Sequence, residues 1–293
     1  MNVALTGSTG FIGSHVLTEL IAHDHEVVAF VRGEEEATAV AARGAKATVV
    51  DLYDRAAVVN LLADVDGSIH TASPGDAKSA DLDSAIADAV IEAFSGSGRP
   101  HIQISGLWIY GTNTAITEDS PRNAPPMVAW KEPIEQRLLS ADGVRAIVPV
   151  CSTAYGDAGG GIPGLLLGSP RDDAGNLIMI GDGQQHWSTV HVADLADFFR
   201  RALEQDSADG YYIVGDGLKP TVAELTRAAA VAAGAPGAVP GSDQEARSRL
   251  GDYFAEVLLL DQGTQATRAR VELGWDPTHL GLVEELRAGS YRK

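Results

Sequence analysis

Cysteine is almost missing: Cys151 is the one thiol among 293 residues. A single thiol closes no intramolecular disulfide, so a disulfide framework is excluded and a reducing, cytoplasmic setting is expected. At the end of an apolar strand and with no activating partner in sight, Cys151 reads as a small buried residue. Apolar runs of about 18 residues do not occur, so no transmembrane helix is expected. The opening segment MNVALTGSTGFIG has neither a basic stretch nor a long apolar stretch, so no signal peptide is expected. Basic residues are scarce, 22 Lys and Arg against 40 Asp and Glu, which gives a net charge of −18. Such a chain is repelled by phosphate backbones and anionic lipid, so neither nucleic acid nor a membrane surface is an expected partner. His186 and His191 have no acid or Cys at ligand spacing, so no metal site is expected. Gly159–Gly161 lacks the Lys and Ser or Thr that complete a phosphate-binding P-loop, and reads instead as a mobile lid.

What is present is alternation. Short apolar, β-branched runs at Asn2–Thr6, Glu26–Val31, Ala47–Val50, Gly67–His70, His101–Ser105 and Val144–Val150 are separated by helical stretches. These stretches are Phe11–Ala22, Glu34–Arg43, Arg55–Ala63, Asp81–Phe94 and Pro126–Ser140. Continuous apolar strands joined by helices predict a doubly wound α/β domain with a parallel sheet. Later segments read as strands at Leu177–Ile180, Ser188–His191 and Tyr211–Val214. They read as helices at Val192–Glu204, Val222–Ala233 and Asp243–Leu260. The expected division is a dinucleotide-binding part over 1–155 and 177–214, with a smaller, mainly helical substrate lobe over 156–176 and 215–293. No internal repeat or low-complexity linker separates them.

The most specific feature is Thr6-Gly7-Ser8-Thr9-Gly10-Phe11-Ile12-Gly13, which follows the first strand and opens the first helix. Glycines here let the backbone approach a pyrophosphate and let the helix pack on the strand. The helix N-terminus offers free N–H groups to the phosphates. At the end of the second strand Arg32 stands where an acid would select NAD, so Arg32 is read as a clamp for a 2′-phosphate and NADP is favoured over NAD. Glu34, Glu35 and Glu36 lie close behind it. Asp51, followed by Leu52, is placed to bond the adenine amino group or to cap the next helix.

Taken in order, several motifs resemble an extended or atypical short-chain dehydrogenase/reductase of the NAD(P)-dependent epimerase/dehydratase type. They are the glycine loop, Asp51-Leu52, His70-Thr71-Ala72-Ser73, Ile104 through Gly111, Lys131, Ala154-Tyr155-Gly156, Val190 through Ala196 and Leu273-Gly274-Trp275. The resemblance implies a Rossmann fold, cofactor contacts from the glycine loop, Ala72 and Ser73, and a Ser-Tyr-Lys catalytic set. Lys131 fits the Lys position and would hold the nicotinamide ribose. Four residues earlier stands Met127 where the family has Tyr, and the Ser position is Gly106, with Ser105 adjacent.

Ser105, Tyr155 and His191 are therefore the candidate catalytic groups beside Lys131, with Ser152 and Thr153 as further hydroxyls. Tyr155 or His191 is the expected proton relay. Trp108, Trp130 and Trp187 are candidates for an aromatic substrate pocket, and Arg171 is a further charged candidate near the site. The expected function is an NADP-dependent oxidoreductase acting on a small carbonyl-like or aromatic molecule. A non-catalytic NADP(H)-binding sensor and a sugar epimerase or dehydratase are the alternatives. A homodimer through the Asp81–Phe94 and Pro126–Ser140 helices is the expected assembly if there is one.

Overall fold

In a computed structural model that describes residues 1–292, the chain lays down β1 (Asn2–Thr6), β2 (Glu26–Val31), β3 (Lys46–Val49), β4 (Gly67–His70) and β5 (Pro100–Gln103). Two later strands, Arg145–Cys151 and Gly210–Val214, complete a parallel sheet. Its order is Gly210–Val214, Arg145–Cys151, β5, β4, β1, β2, β3, with Ser105–Gly106 pairing beside Arg145–Cys151. Along β1 the side chains alternate between two cores. Val3 and Leu5 join α1 (Phe11–Ala22) and the Val192–Glu204 helix. Ala4 joins α3 (Arg55–Leu62), α4 (Ser79–Phe94) and α5 (Lys131–Leu139) on the other face. Every residue of β4 and β5 is buried, the polar Ser68, His70, His101 and Gln103 included.

Three sequence expectations shift. The Pro126–Ser140 helix begins only at Lys131, so that Pro133 falls in the first turn, where its missing N–H leaves no bond unmade. The Asp243–Leu260 helix is two helices, Asp243–Leu250 and Asp252–Leu258, broken at Gly251, whose φ of +80° no helix can hold. Leu177–Ile178 does not join the sheet domain; it pairs with Ala238–Val239, and Leu177, Ile180 and Trp187 pack with the Val222–Ala232 helix in a separate core. Short pairings of Thr189–His191 with Thr153–Tyr155, and of Gln262–Thr264 with Asn113–Ile116, tie this lobe across the carboxyl ends of the sheet strands.

Candidate active site and dinucleotide cleft

The sheet grows in opposite directions from β1, towards β2 and β3 on one side and towards β4 on the other. Such a switch point opens a crevice at the carboxyl ends of the strands. The glycine loop fills it. A Cβ on Gly7, where φ is +74°, would lie 2.6 Å from the Ala72 nitrogen, and one on Gly13 would lie 2.1 Å from the Gly7 carbonyl oxygen. The loop therefore tolerates no side chain at either position, and the N-terminus of α1 is brought against the β4 loop. A cavity of about 540 Å³ follows, lined by Gly7, Ser8, Thr9, Gly10, Arg32, Asp51, Leu52, Ala72 and Ser73 among others. Ser8 is buried and its hydroxyl has no partner. A narrow glycine cradle, an orphaned hydroxyl and unpaired helix N–H groups fit a pyrophosphate.

Arg32 stands at the mouth of this cavity, its side chain 86% exposed and Nη2 donating to Glu36 Oε1 at 3.1 Å. Asp51 also lies on the lining, and its Oδ1 accepts the Tyr53 backbone N–H at 3.0 Å. It does not cap the next helix; Asp54 does, accepting the Ala57 N–H at 3.1 Å.

Lys131, at the start of α5, is held by a buried polar chain that sequence reading did not anticipate. Its Nζ donates to Asp83 Oδ2 at 3.0 Å and lies 4.5 Å from the centre of the Trp130 ring. Asp83 also accepts from His70 Nε2 at 3.2 Å and Gln103 Nε2 at 3.1 Å. With Nε2 donating, His70 Nδ1 accepts the Thr6 hydroxyl at 2.6 Å. Gln103 Oε1 accepts from His101 Nε2 at 3.4 Å, whose Nδ1 accepts the Ser68 hydroxyl at 2.8 Å. Burial raises the Asp83 carboxyl, but His70 and Lys131 outweigh it and leave its pKa below the ordinary value. The signals were there, polar residues inside buried strands, but nothing in the spacing says they meet.

Beyond the glycine loop a second cavity of about 690 Å³ opens, with Phe11 and Ile12 at the cofactor end and Ser105, Cys151, Ser152 and Thr153 at its floor. Its walls are apolar: Ile162, Leu165, Leu258, Trp108, Trp187 and Phe254. Phe254, not anticipated, meets Trp108 edge to face at 6.3 Å. Trp130 lies outside, under Lys131, and Arg171 is engaged with the Gly175 and Ala233 carbonyls. Cys151 is buried and its pKa is raised by that burial. The Gly159–Gly161 run does not hang free: a Cβ on Gly159 would strike the Phe11 ring at 2.5 Å, so the glycine lets the chain press on that ring.

Tyr155 and His191, expected as proton relays, line neither cavity. Tyr155 is fully buried, and its hydroxyl donates to the Leu280 carbonyl at 2.6 Å. The nearby Asp216 carboxyl, 3.3 Å away, has its pKa pushed up to about 6 by burial. His191 caps the Val192–Glu204 helix by accepting the Ala193 N–H at 3.2 Å, and stacks on His279 at 4.1 Å. His191, Asp194 and His279 bring ligand-type atoms within 4.8 Å of one another. Asp194, however, is taken up by the Thr278 and His279 backbone N–H groups and by His279 Nδ1, so this trio anchors a turn. Met127 is 39% exposed and also lines neither cavity. Of the four candidate catalytic residues, Ser105 lines the second cavity; Lys131 lines neither, its Nζ lying 3.5 Å from the carbonyl oxygen of Ile104, which does line it; the other two belong to the packing of the lobe.

A doubly wound sheet with a glycine-loop cleft at its switch point defines a dinucleotide-binding α/β protein. The sequence pattern of the NAD dependent epimerase/dehydratase family matches residues 3–215, and the chain belongs to that family. It is 29% identical over 299 residues to an uncharacterized protein of Schizosaccharomyces pombe, covering 99% of this chain and 100% of that one. It is 30% identical over 308 residues to a UDP-glucose 4-epimerase of Mycolicibacterium smegmatis, covering 94% of each. Among solved structures, a Thermus thermophilus UDP-glucose 4-epimerase with NAD superposes with a TM-score of 0.76 at 23% identity, covering 99% of each chain. The human epimerase family protein SDR39U1 with NADPH gives a TM-score of 0.76 at 21% identity, again covering 99% of each. These likenesses show the Rossmann fold. No helix among the described residues is long and apolar enough to cross a membrane.

Proposed function

We propose that the protein is an NADP-dependent oxidoreductase of the atypical short-chain type, cytoplasmic, acting on a small apolar carbonyl-like or aromatic molecule. The observation that carries this reading is the second cavity: it continues from the glycine loop, its walls are aliphatic and aromatic, and no charged side chain among the described residues lines it. A nucleotide sugar would bring a second diphosphate into that space and would call for cations there. When bound, the reduced dinucleotide supplies the electron pair and hydrogen that reach the substrate carbon. The chain does the rest. The glycine loop and the N-terminus of α1 hold the pyrophosphate, and Asp51 takes the adenine amino group. Arg32 swings from Glu36 to the 2′-phosphate, and Lys131, steadied by Asp83, holds the nicotinamide ribose. Ser105 presents its hydroxyl to the substrate oxygen.

The absence of a tyrosine four residues before Lys131 favours the second reading, a protein that binds NADP(H) and does not turn over. Following NADPH consumption with acetophenone and with a naphthoquinone separates the two, with UDP-glucose epimerisation measured alongside. The proposal predicts consumption with an apolar acceptor, and a loss in kcat/KM of roughly tenfold or more in Trp108→Ala, the range an apolar pocket contact provides. NADPH binding without any turnover would mean a sensor, and epimerisation of UDP-glucose would replace the proposal with sugar chemistry.

A further inference from the structure

Behind the Ser105 hydroxyl lies a group of buried polar atoms that the cleft does not use. Glu135 sits one helical turn beyond Lys131 on α5 and is 1% exposed. Its Oε2 accepts the Tyr211 hydroxyl at 3.1 Å. Its Oε1 has no well-formed hydrogen bond, and neither has Ser105 Oγ, although the serine hydroxyl is close enough to act on the carboxyl. The Tyr110 hydroxyl is likewise buried without a partner. The Arg122 guanidinium roofs the group, 3.9 Å from the centre of the Tyr211 ring. Tyr211 is partly exposed, and Gln136 Nε2, on an exposed side chain, donates to its hydroxyl at 3.4 Å. Hydrogen bonds thus run from the surface at Gln136 through Tyr211 to Glu135, and the two unpartnered atoms, Glu135 Oε1 and Ser105 Oγ, stand between that chain and the floor of the substrate cavity.

We propose that Glu135 is a proton-relay residue, feeding protons from the surface at Tyr211 to Ser105, which delivers them to the substrate oxygen. The inference rests on the oxidoreductase reading above. A carboxylic acid suits the position: Oε1–H donates to Ser105 Oγ, which frees the serine hydrogen for the substrate, while Oε2 accepts from Tyr211. Both orphaned atoms are then satisfied. As a carbonyl carbon gains its hydrogen and electron pair from the dinucleotide, the developing alkoxide takes the Ser105 proton. Ser105 takes the Glu135 proton, and Glu135 is reprotonated from water by way of the Tyr211 hydroxyl. The charged and titratable groups facing Glu135 are Lys131 on its own helix, with Arg122, Tyr110 and Tyr211 across the interface. Burial raises the carboxyl pKa, and the pull of Ser105, Lys131, Tyr211 and Arg122 does not cancel that rise.

Infrared titration of the protein without cofactor reads the carboxyl directly. A protonated-carboxyl band is expected to persist above the ordinary glutamate range. It should vanish in Glu135→Gln and shift in Ser105→Ala. In turnover with acetophenone, Glu135→Gln is expected to lower kcat by about 10²–10⁴-fold. The pH dependence should flatten, the solvent deuterium effect should change, and NADPH affinity should be unaltered. Tyr211→Phe, which removes one oxygen from a partly exposed ring, is expected to slow turnover in the same direction, and it carries the test if Glu135→Gln fails to fold. A Glu135 carboxyl that ionises in the ordinary range, or a Glu135→Gln enzyme with the wild-type pH profile, would overturn the relay. Wild-type protein that consumes no NADPH with any carbonyl would instead overturn the oxidoreductase reading, leaving the infrared titration to decide the relay.

Discussion

Asp83 has three donors on its two oxygens, His70 and Gln103 buried and Lys131 partly so. Removing one partner of a buried charged group costs more than the pair contributes, because the remaining charge is left without compensation. Asp83→Ala is therefore expected to lower unfolding free energy by about 3–5 kcal/mol, and to free Lys131 from its position. Denaturant unfolding checks the first effect and NADPH titration the second. Because the Asp83 pKa is lowered, its contribution is present above the ordinary carboxylate pKa and is lost as pH falls through the lowered one. None of this chain was legible in the sequence. His70 and Lys131 each carried a motif assignment, but Asp83 reads as one more polar position in a helix, and only the fold brings it to Lys131. Arg32 and Asp51 were legible from the ends of the second and third strands, and Ala72 and Ser73 through the family resemblance; all four line the cavity beside the glycine loop.

At the scale of elements, β1 and β2 were readable because apolar, β-branched residues run through them, as in strands covered on both faces. The elements over the carboxyl edge were not. Ser105–Gly106 and Thr153–Tyr155 are too short for a period of two to declare itself, and Leu177–Ile178, read as a strand, gives no sign of which core it joins. Their pairing partners lie far away in sequence or in another core. The same shortness hides the cavity: Trp108 comes from a single 3-10 turn and Phe254 from a seven-residue helix after Gly251, and neither segment shows a face to pack. Tyr155 and His191 look catalytic because they are chemically able and near the right strands. Hydrogen bonds to Leu280 and from Ala193 fix their ring positions away from the cavity.

Over the whole molecule one fully buried histidine makes stability depend on pH. His101 is fully enclosed, and burial pushes its pKa down to about 3 from the ordinary 6.5. The folded protein keeps it neutral while the unfolded chain protonates it. Its contribution is therefore complete above pH 6.5 and is lost as pH falls from there towards about 3. The slope from this one group is about 1.4 kcal/mol per pH unit. Unfolding measured between pH 7 and 4 is expected to show that slope, reduced in His101→Gln; an unchanged slope in the variant would assign the acid sensitivity to other groups.

Two proposals meet at the switch-point cleft: that it binds a dinucleotide and that Arg32 selects the phosphorylated form. Calorimetric titration of wild type, Arg32→Ala and Gly13→Ala with NADPH and NADH tests both most directly. Wild type is expected to prefer NADPH, Arg32→Ala to lose the preference while keeping NADH binding, and Gly13→Ala to bind neither, since its Cβ has no room beside the Gly7 carbonyl. Wild-type protein that takes up neither dinucleotide would contradict the first, and equal NADPH preference with and without Arg32 would contradict the role given to that side chain.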